Sequence, residues 1–317
     1  MEKDWDCIVC GSCTADILVR PIALDQPVVA GRLHQVQPID VSTGGLASNA
    51  GIAMSRLGLR VSMLSYTGND SWDTIMRERY RNEGVDTSRL LRHETLPSSS
   101  TVVMIDANGE RSFAHHQGAP RAIDYSMIHS NLHWIASSRM FLIGYYSLLP
   151  NLQDDLADIL KSIRDAGCMT AMDAAGSGGS MQPLDRILPH LDIYVPSLSE
   201  ARHQTSLSDP RAIIETYRAC GAMGLLGVKL GSDGALLQTP DGRFIEIDAV
   251  PPPGPVVDTT GAGDSFYAGL ITGILRGLSP EEAGRLAAAA GACCVTELGA
   301  SAAIKDFDST MRIAGLA

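Results

Sequence analysis

The chain has 317 residues, 45% of them hydrophobic and 19% charged, with a formal net charge of −11. That length suits roughly two domains of about 150 residues, or one large α/β domain, and ordinary apolar content without a heptad or Gly-X-Y period excludes coiled coil, collagen and disorder. The acidic balance argues against nucleic acid as a partner, because phosphate backbones are bound by basic surfaces.

In chain order, the start Met1–Asp6 lacks a basic segment followed by an apolar one, so no signal peptide is predicted and a cytoplasmic protein is expected. Cys7–Cys10 reads as a buried first strand. Cys7, Cys10 and Cys13 have metal-like spacing, but no second ligand cluster accompanies them, and seven cysteines do not suggest a disulfide framework. Ile17–Val41 is proline-punctuated and lacks helical periodicity. Helices are predicted at Ala47–Leu59, Trp72–Glu83, Leu152–Ala166, Asp209–Gly221, Gly263–Arg276 and Pro280–Leu298. Strands are predicted at Val61–Tyr66, Met140–Ile143, Met169–Asp173, Ile193–Val195, Leu225–Leu230 and Ala235–Gln238. Between them, Ser98–His115 reads as a hairpin turning at Asn108-Gly109. Ser279-Pro280-Glu281-Glu282 supplies an N-cap, a first-turn proline and first-turn acid. Cys293 and Cys294 read as small core residues. The longest apolar runs, such as the nine residues Ala287–Val295, fall well short of the roughly 18 of a membrane helix, so no membrane is expected as a partner. The alternation predicts an α/β fold, a largely parallel sheet flanked by helices. Residues 17–41 and 98–115 break that rhythm and are expected to pair into a small extra sheet on a single domain.

The strongest motif is Asp258-Thr259-Thr260-Gly261-Ala262-Gly263-Asp264-Ser265-Phe266. Small residues at a helix start leave backbone N–H groups uncovered and aimed at an incoming anion. Asp264, in the first turn, can accept a proton from an attacking hydroxyl beside that nest, and phosphoryl transfer needs mainly positioning and a late proton acceptor. A second motif, Gly44-Gly45-Leu46-Ala47-Ser48-Asn49, opens a helix. Its glycines let backbone amides approach a polar ligand, and Asn49 offers a donor and an acceptor to hydroxyls.

Asp258–Phe266 resembles the C-terminal signature of the PfkB/ribokinase family of sugar and nucleoside kinases. Gly44-Gly45-x-x-x-Asn49 resembles its N-terminal pattern, and Gly11-x-x-x-x-Asp16 after the first strand agrees. The resemblance runs from about Asp6 to Ala303. It implies a ribokinase-like three-layer α/β/α sandwich with a small β-sheet lid, transferring the γ-phosphate of ATP, with Mg2+, to a hydroxymethyl group. By this likeness Asp264 is the catalytic base, and Gly261, Ala262 and Gly263 form the anion hole. Asp16, Gly44, Gly45 and Asn49 bind the sugar, while Lys229, Gly231 and Gly234 border the nucleotide. Many members have threonine where this chain has Lys229, which either reaches a phosphate oxygen or sits solvated at a strand end. The family's Asn-x-x-Glu pattern becomes Ser197-Leu198-Ser199-Glu200, leaving Glu200 as an indirect magnesium ligand. A monovalent-cation site, potassium being the ion considered, is implied at Asp258 with backbone oxygens near Thr260, Cys294, Glu297, Gly299 and Ala303.

Among weaker signals, His115-His116 and Arg111 are either substrate contacts or surface residues, Arg111 being suited to an acidic or phosphorylated sugar. Gly176–Ser180 does not fit a nucleophile elbow, because Ala175 stands at its first glycine position. No Walker A string occurs, and Gly11-Ser12-Cys13-Thr14 does not supply a Rossmann fingerprint. Two alternatives stand beside a sugar kinase: a nucleoside kinase, with Phe113, Tyr145 or Tyr146 stacking on the base, and a non-catalytic sugar sensor. A homodimer through the lid is a further expectation.

Overall fold

The computed structural model describes residues 3–26, 29–176 and 178–316. Pro27 and Val28 of the 17–41 segment, and Ser177 of the glycine-rich stretch above, lie outside the described residues. The chain begins with β1 (Trp5–Gly11), β2 (Thr14–Val19), β3 (Asp40–Gly44), α1 (Leu46–Arg56), β4 (Val61–Thr67), α2 (Ser71–Asn82) and β5 (Asp86–Arg92). There follow β6 (Ser100–Ile105), β7 (Arg111–His116), α3 (Tyr125–Ser130), α4 (Leu132–Ile135), β8 (Ser138–Gly144), α5 (Leu156–Asp165) and β9 (Met169–Met172). Next come α6 (Met181–Ile187), β10 (Ile193–Tyr194), α7 (Leu198–Thr205), α8 (Pro210–Ala219) and β11 (Leu225–Lys229). The chain closes with β12 (Ala235–Gln238), β13 (Phe244–Ile247), α9 (Ala262–Leu275), α10 (Pro280–Cys294) and α11 (Phe307–Ile313).

Nine strands form one sheet in the order β13-β12-β11-β10-β9-β8-β1-β4-β5, parallel from β11 to β5 with an antiparallel β12–β13 margin. The central strands are buried on both faces, which explains their near-continuous apolar sequence. Cys7 and Val9 face a core shared with α1, α2, α9 and α10, whereas Ile8 and Cys10 face a second core shared with α3, α5, α6, α7 and α8. Strand alternation therefore puts Cys7 and Cys10 on opposite faces of the sheet, so the C-x-x-C spacing brings no ligand pair together. Cys293 and Cys294 are buried on α10.

A second sheet is ordered β3-β2-β6-β7; the 98–115 segment supplies β6 and most of β7, but the 17–41 segment supplies only the end of β2 and the start of β3, its remaining described residues forming no strand. The β6–β7 hairpin turns at Asn108-Gly109, where Asp106 accepts from the N–H groups of Asn108 (2.8 Å) and Glu110 (2.9 Å). Among the described residues, no helix is long and apolar enough to cross a membrane.

Several predicted boundaries need correction, among them the helix expected to reach Leu59, which stops at Arg56. The helix expected from Leu152 starts at Leu156, because residues 152–155 form turns. The helix expected to reach Leu298 stops at Cys294, and the strand at Ile193 covers two residues.

Helices α9 and α10 approach closely through glycine. A Cβ at Gly269 would lie 2.7 Å from Ala287 Cα and 3.0 Å from Leu286 O. Gly269→Ala gains about 1 kcal/mol of helix propensity but forces backbone apart in a packed core, which costs about 1–3 kcal/mol. The steric term wins, and thermal unfolding should show a lower Tm. An unchanged or higher Tm would mean that the two helices adjust freely.

Candidate active site

The strand order reverses between β1 and β8: the chain winds outward from β1 to β5 on one side and from β8 to β11 on the other. At such a switch point the loops beyond the strand ends diverge and leave a crevice. Here those ends are Gly11 and Gly144, which stand side by side in the β1–β8 register.

Asp264 is 4% exposed in the first turn of α9. Its Oδ2 accepts from Asn49 Nδ2 (2.7 Å) and Tyr145 Oη (3.0 Å), and Tyr145 Oη lies 3.1 Å from Oδ1. Burial pushes the carboxyl up from the usual range, while the Asn49 hydrogen bond and the nearby Lys229 charge oppose that rise. Gly261 caps the helix at φ 77°, and a Cβ there would lie 2.4 Å from Ala300 Cβ and 2.6 Å from its carbonyl oxygen. Only glycine serves at that position. Within the predicted anion-hole trio, the Ala262 N–H is turned to Thr259 O at 3.3 Å, which leaves the Gly261 and Gly263 amides as its more open donors.

The second predicted group assembles opposite. Asn49 lies on α1, reached through Gly45 at φ 80°, whose Cβ would sit 2.4 Å from Ser12 O. Gly44 is bare for a different reason: its Cβ would overlap Asp16 Oδ2. Asp16, on β2, is pushed up to about 6 by burial, with Thr101 opposing the rise. Asp16 Oδ1 and Asn49 Oδ1 are both buried without a partner. Two orphaned acceptors in one site call for a ligand rich in donors.

Beside the start of α9 lies a cleft of about 640 Å3. Lys229, Gly231, Gly234, Ala262 and Gly263 line it, with Val250, Pro251, Val256 and Ala288 among its apolar walls. The nucleotide-side residues expected from sequence thus border one cavity. Lys229 is not solvated at its strand end, which corrects one of the two readings offered for it. Its side chain is 10% exposed, Nζ lies 3.0 Å from Asp173 Oδ2 and 3.2 Å from Oδ1, and the Tyr267 ring lies beneath it. Burial pushes Asp173 up to about 7 even with that partner, because Glu200 and Asp264 add like charge. The Lys229 ammonium, among three carboxylates, is held charged.

Glu200 and Ser197 form a capping box on α7: Ser197 Oγ accepts from Glu200 N (3.3 Å), and Glu200 Oε2 accepts from Ser197 N (2.7 Å). The S-x-x-E spacing carries that signal in sequence. Among the described residues, no three His, Cys, Asp or Glu side chains come together as a metal cage. Asp258 is 4% exposed and accepts from the N–H groups of Thr260 (2.7 Å) and Gly299 (2.9 Å), and Arg111 from β7 bonds it at 2.6 Å. Arg111 is therefore engaged by a carboxylate of the signature loop. His115 bonds Thr101 across the small sheet (3.0 Å), and both His115 and His116 are exposed.

Sequence reasoning missed three contributors: Tyr145 as a donor to Asp264, Asp173 as the partner of Lys229, and Arg111 as the partner of Asp258. Tyr145 has φ 57°, a left-handed conformation uncommon outside glycine and concentrated at functional sites.

The pfkB family carbohydrate kinase model matches residues 6–306. The chain belongs to the PfkB family of carbohydrate kinases. It is 29% identical over 268 residues to a 2-dehydro-3-deoxygluconokinase of Bacillus subtilis, covering 80% of each chain. It is 26% identical over 317 residues to a ribokinase of Arabidopsis thaliana, covering 96% of this chain and 80% of that one. The solved structure of an Arabidopsis thaliana ribokinase with ribose and ATP superposes with a TM-score of 0.82 at 25% identity, covering 99% of both chains. As a member of this family the PfkB chain is a phosphotransferase acting on an alcohol group, with the ribokinase-like α/β fold.

Proposed function

We propose that this PfkB kinase transfers the γ-phosphoryl group of ATP to a hydroxymethyl group of a small neutral sugar. The observation that carries the reading is the seat of Asp264: it is bonded to Asn49, whose own oxygen and that of Asp16 are buried without partners, and it follows Gly263, which lines the 640 Å3 cleft. The similarity to a ribokinase solved with ribose and ATP supports both ligands. The sugar's hydroxyls donate to Asp16 and Asn49, and the reacting hydroxyl passes its proton to Asp264 as the bond to phosphorus forms. Amides at the start of α9 and the Lys229 ammonium face the charge on the transferring phosphoryl group. The apolar walls of the cleft suit a flat base. Magnesium fits as an ion that arrives with the phosphates, since Glu200 spends only Oε2 on the capping box and magnesium usually takes one or two carboxylates plus phosphates. When bound, it offsets phosphate charge, with Glu200 the indirect protein ligand.

The small sheet of β2, β3, β6 and β7 acts as a lid that excludes water. Val41, Ile17 and Val102 align across its outward face, with Val41 and Val102 exposed, and this row supports pairing with a second copy. A cytoplasmic enzyme without nucleic-acid or membrane partners fits the acidic charge.

Arg111 is already held by Asp258, and Lys229 lines the nucleotide-side cleft, so neither residue favours an acidic sugar. A nucleoside acceptor gains no support from the three aromatic candidates. Tyr146 is buried and bonded to Gly178 O (3.0 Å), Tyr145 spends its hydroxyl on Asp264, and Phe113 is 58% exposed. A purely sensing role leaves the base and its two donors without a purpose.

The test is ADP release from Mg-ATP across pentoses, hexoses, keto-deoxy acids and nucleosides, expected to peak on a neutral sugar. Turnover confined to nucleosides or acids overturns the acceptor, and no turnover with any of them overturns the kinase reading. For the acceptor found, Asp16→Asn should raise KM by about tenfold or more, the cost of losing a charged hydrogen-bond acceptor. An unmoved KM would remove Asp16 from the sugar site.

A further inference from the structure

The buried carboxylate of Asp258 sits at the root of the loop that carries Gly261 and Asp264. A charge so placed is unfavourable unless it is paired and hydrogen-bonded. Two backbone N–H groups of its own neighbourhood serve it, those of Thr260 and Gly299. Its counter-charge comes from far away in sequence: Arg111, at the start of the outer strand of the small sheet, places Nη1 2.6 Å from Asp258 Oδ1 and also bonds Thr260 Oγ1. The guanidinium is 13% exposed, so solvent screens the pair weakly. Two nearby carbonyl oxygens share one weak protein donor: the Cys294 thiol lies 3.3 Å from Thr260 O and 3.1 Å from Ala300 O.

We propose that Arg111 is a positioning residue whose guanidinium supplies, at Asp258, the positive charge that fixes the signature loop, in place of a monovalent metal cation. The inference rests on the kinase reading for its rate consequences. One carboxylate oxygen bears the guanidinium and a backbone N–H, the other a second N–H, and the single Cys294 S–H lies within reach of two neighbouring carbonyls. That set offers a metal ion little open ligation. Because Arg111 rides on the hairpin, the loop that holds the base is complete only while the small sheet is seated on it. Both contacts come from the one nitrogen Nη1, so what Arg offers here over Lys is reach and a permanent, weakly hydrated charge.

The experiment compares ADP formation by the wild-type protein in potassium, sodium and tetramethylammonium chloride at equal ionic strength, then repeats it with Arg111→Ala and Arg111→Lys. Equal wild-type rates are expected. Arg111→Ala should lose about 100-fold in kcat, the scale of a small misplacement of the base, with the acceptor KM nearly unchanged. Millimolar guanidinium ion or potassium should restore much of it, and Arg111→Lys should fall between. Tenfold activation of the wild type by potassium overturns the proposal, as does an unchanged kcat in Arg111→Ala or a loss that no added cation relieves. Thermal unfolding separates this from failure of the kinase reading. Arg111→Ala should lower Tm, and Arg111→Ala with Asp258→Asn should recover part of the loss, whether or not any acceptor is turned over. Additive Tm changes would show that the pair is not coupled, and would overturn it too.

Discussion

Asp264→Asn should reduce phosphoryl transfer by about 10³-fold, within the range a positioned general base supplies, while leaving acceptor binding close to wild type. The substitution keeps the shape of the group, so Asn49 and Tyr145 can still donate to an oxygen at that point. It removes only the ability to take a proton. Two further readouts distinguish a lost base from a damaged fold. Burial raises the Asp264 carboxyl, so ionising it opposes folding as pH climbs above the ordinary carboxylate range, and the Asp264→Asn variant should hold or raise Tm at pH 7. In the wild type, activity requires the ionised form; the acid limb of kcat should therefore fall at a higher pH than an ordinary carboxylate would give. In the variant the remaining activity should lose that limb. Near-wild-type turnover in Asp264→Asn would remove the base assignment.

The second large effect concerns Lys229. Lys229→Met should cost about 10²–10³ in kcat, comparable to losing one donor to developing charge, and should raise KM for ATP. The reason is the charge balance around it. Asp173, Glu200 and Asp264 all act on Lys229, and a polyphosphate approaching three carboxylates without that ammonium meets net repulsion. Asp173→Asn should be milder, about tenfold, because the lysine stays charged but loses its anchor. The double variant should be less impaired than the product of the two, since both act through one contact. Multiplied effects would show that the residues work independently. Asp173 is also pushed up to about 7, and Asp16 to about 6, from a usual value of 3.8. Both are more easily protonated folded than unfolded, so the ligand-free protein gives up stability as pH rises from about 4 to about 7. Bound hydroxyls at Asp16 should return part of it.

What was legible in the sequence was local. The signature Asp258–Phe266 is read from glycines at a helix start, and the central strands from continuous apolar runs that only double burial explains. The edge strand β5, Asp86–Arg92, escaped because it carries Arg89 and Arg92 and half-exposed residues, a pattern that resembles loop. Pairs across the fold were invisible for another reason. Tyr145 and Asp264 are 119 positions apart, and Lys229 and Asp173 are 56 apart. Nothing local in either stretch selects the other; the strand order does, by bringing the ends of β8, β9 and β11 to one rim. Glu200 shows the opposite case. The capping box is written in Ser197–Glu200 itself, since its S-x-x-E spacing is local and needs no partner from elsewhere in the fold.

Asn49 bonds Asp264 through its amide nitrogen, while its amide oxygen is, like Asp16 Oδ1, buried without a partner; in the proposed reaction it would touch both the base and the sugar. A planar amide is a rigid bar, so a hydroxyl seated on Oδ1 is held at a set length from Asp264. Which carbon of a sugar receives the phosphate is then measured from that bar. On this account Asn49 works as a ruler for regiochemistry, and a homologous side chain one methylene longer would move the mark.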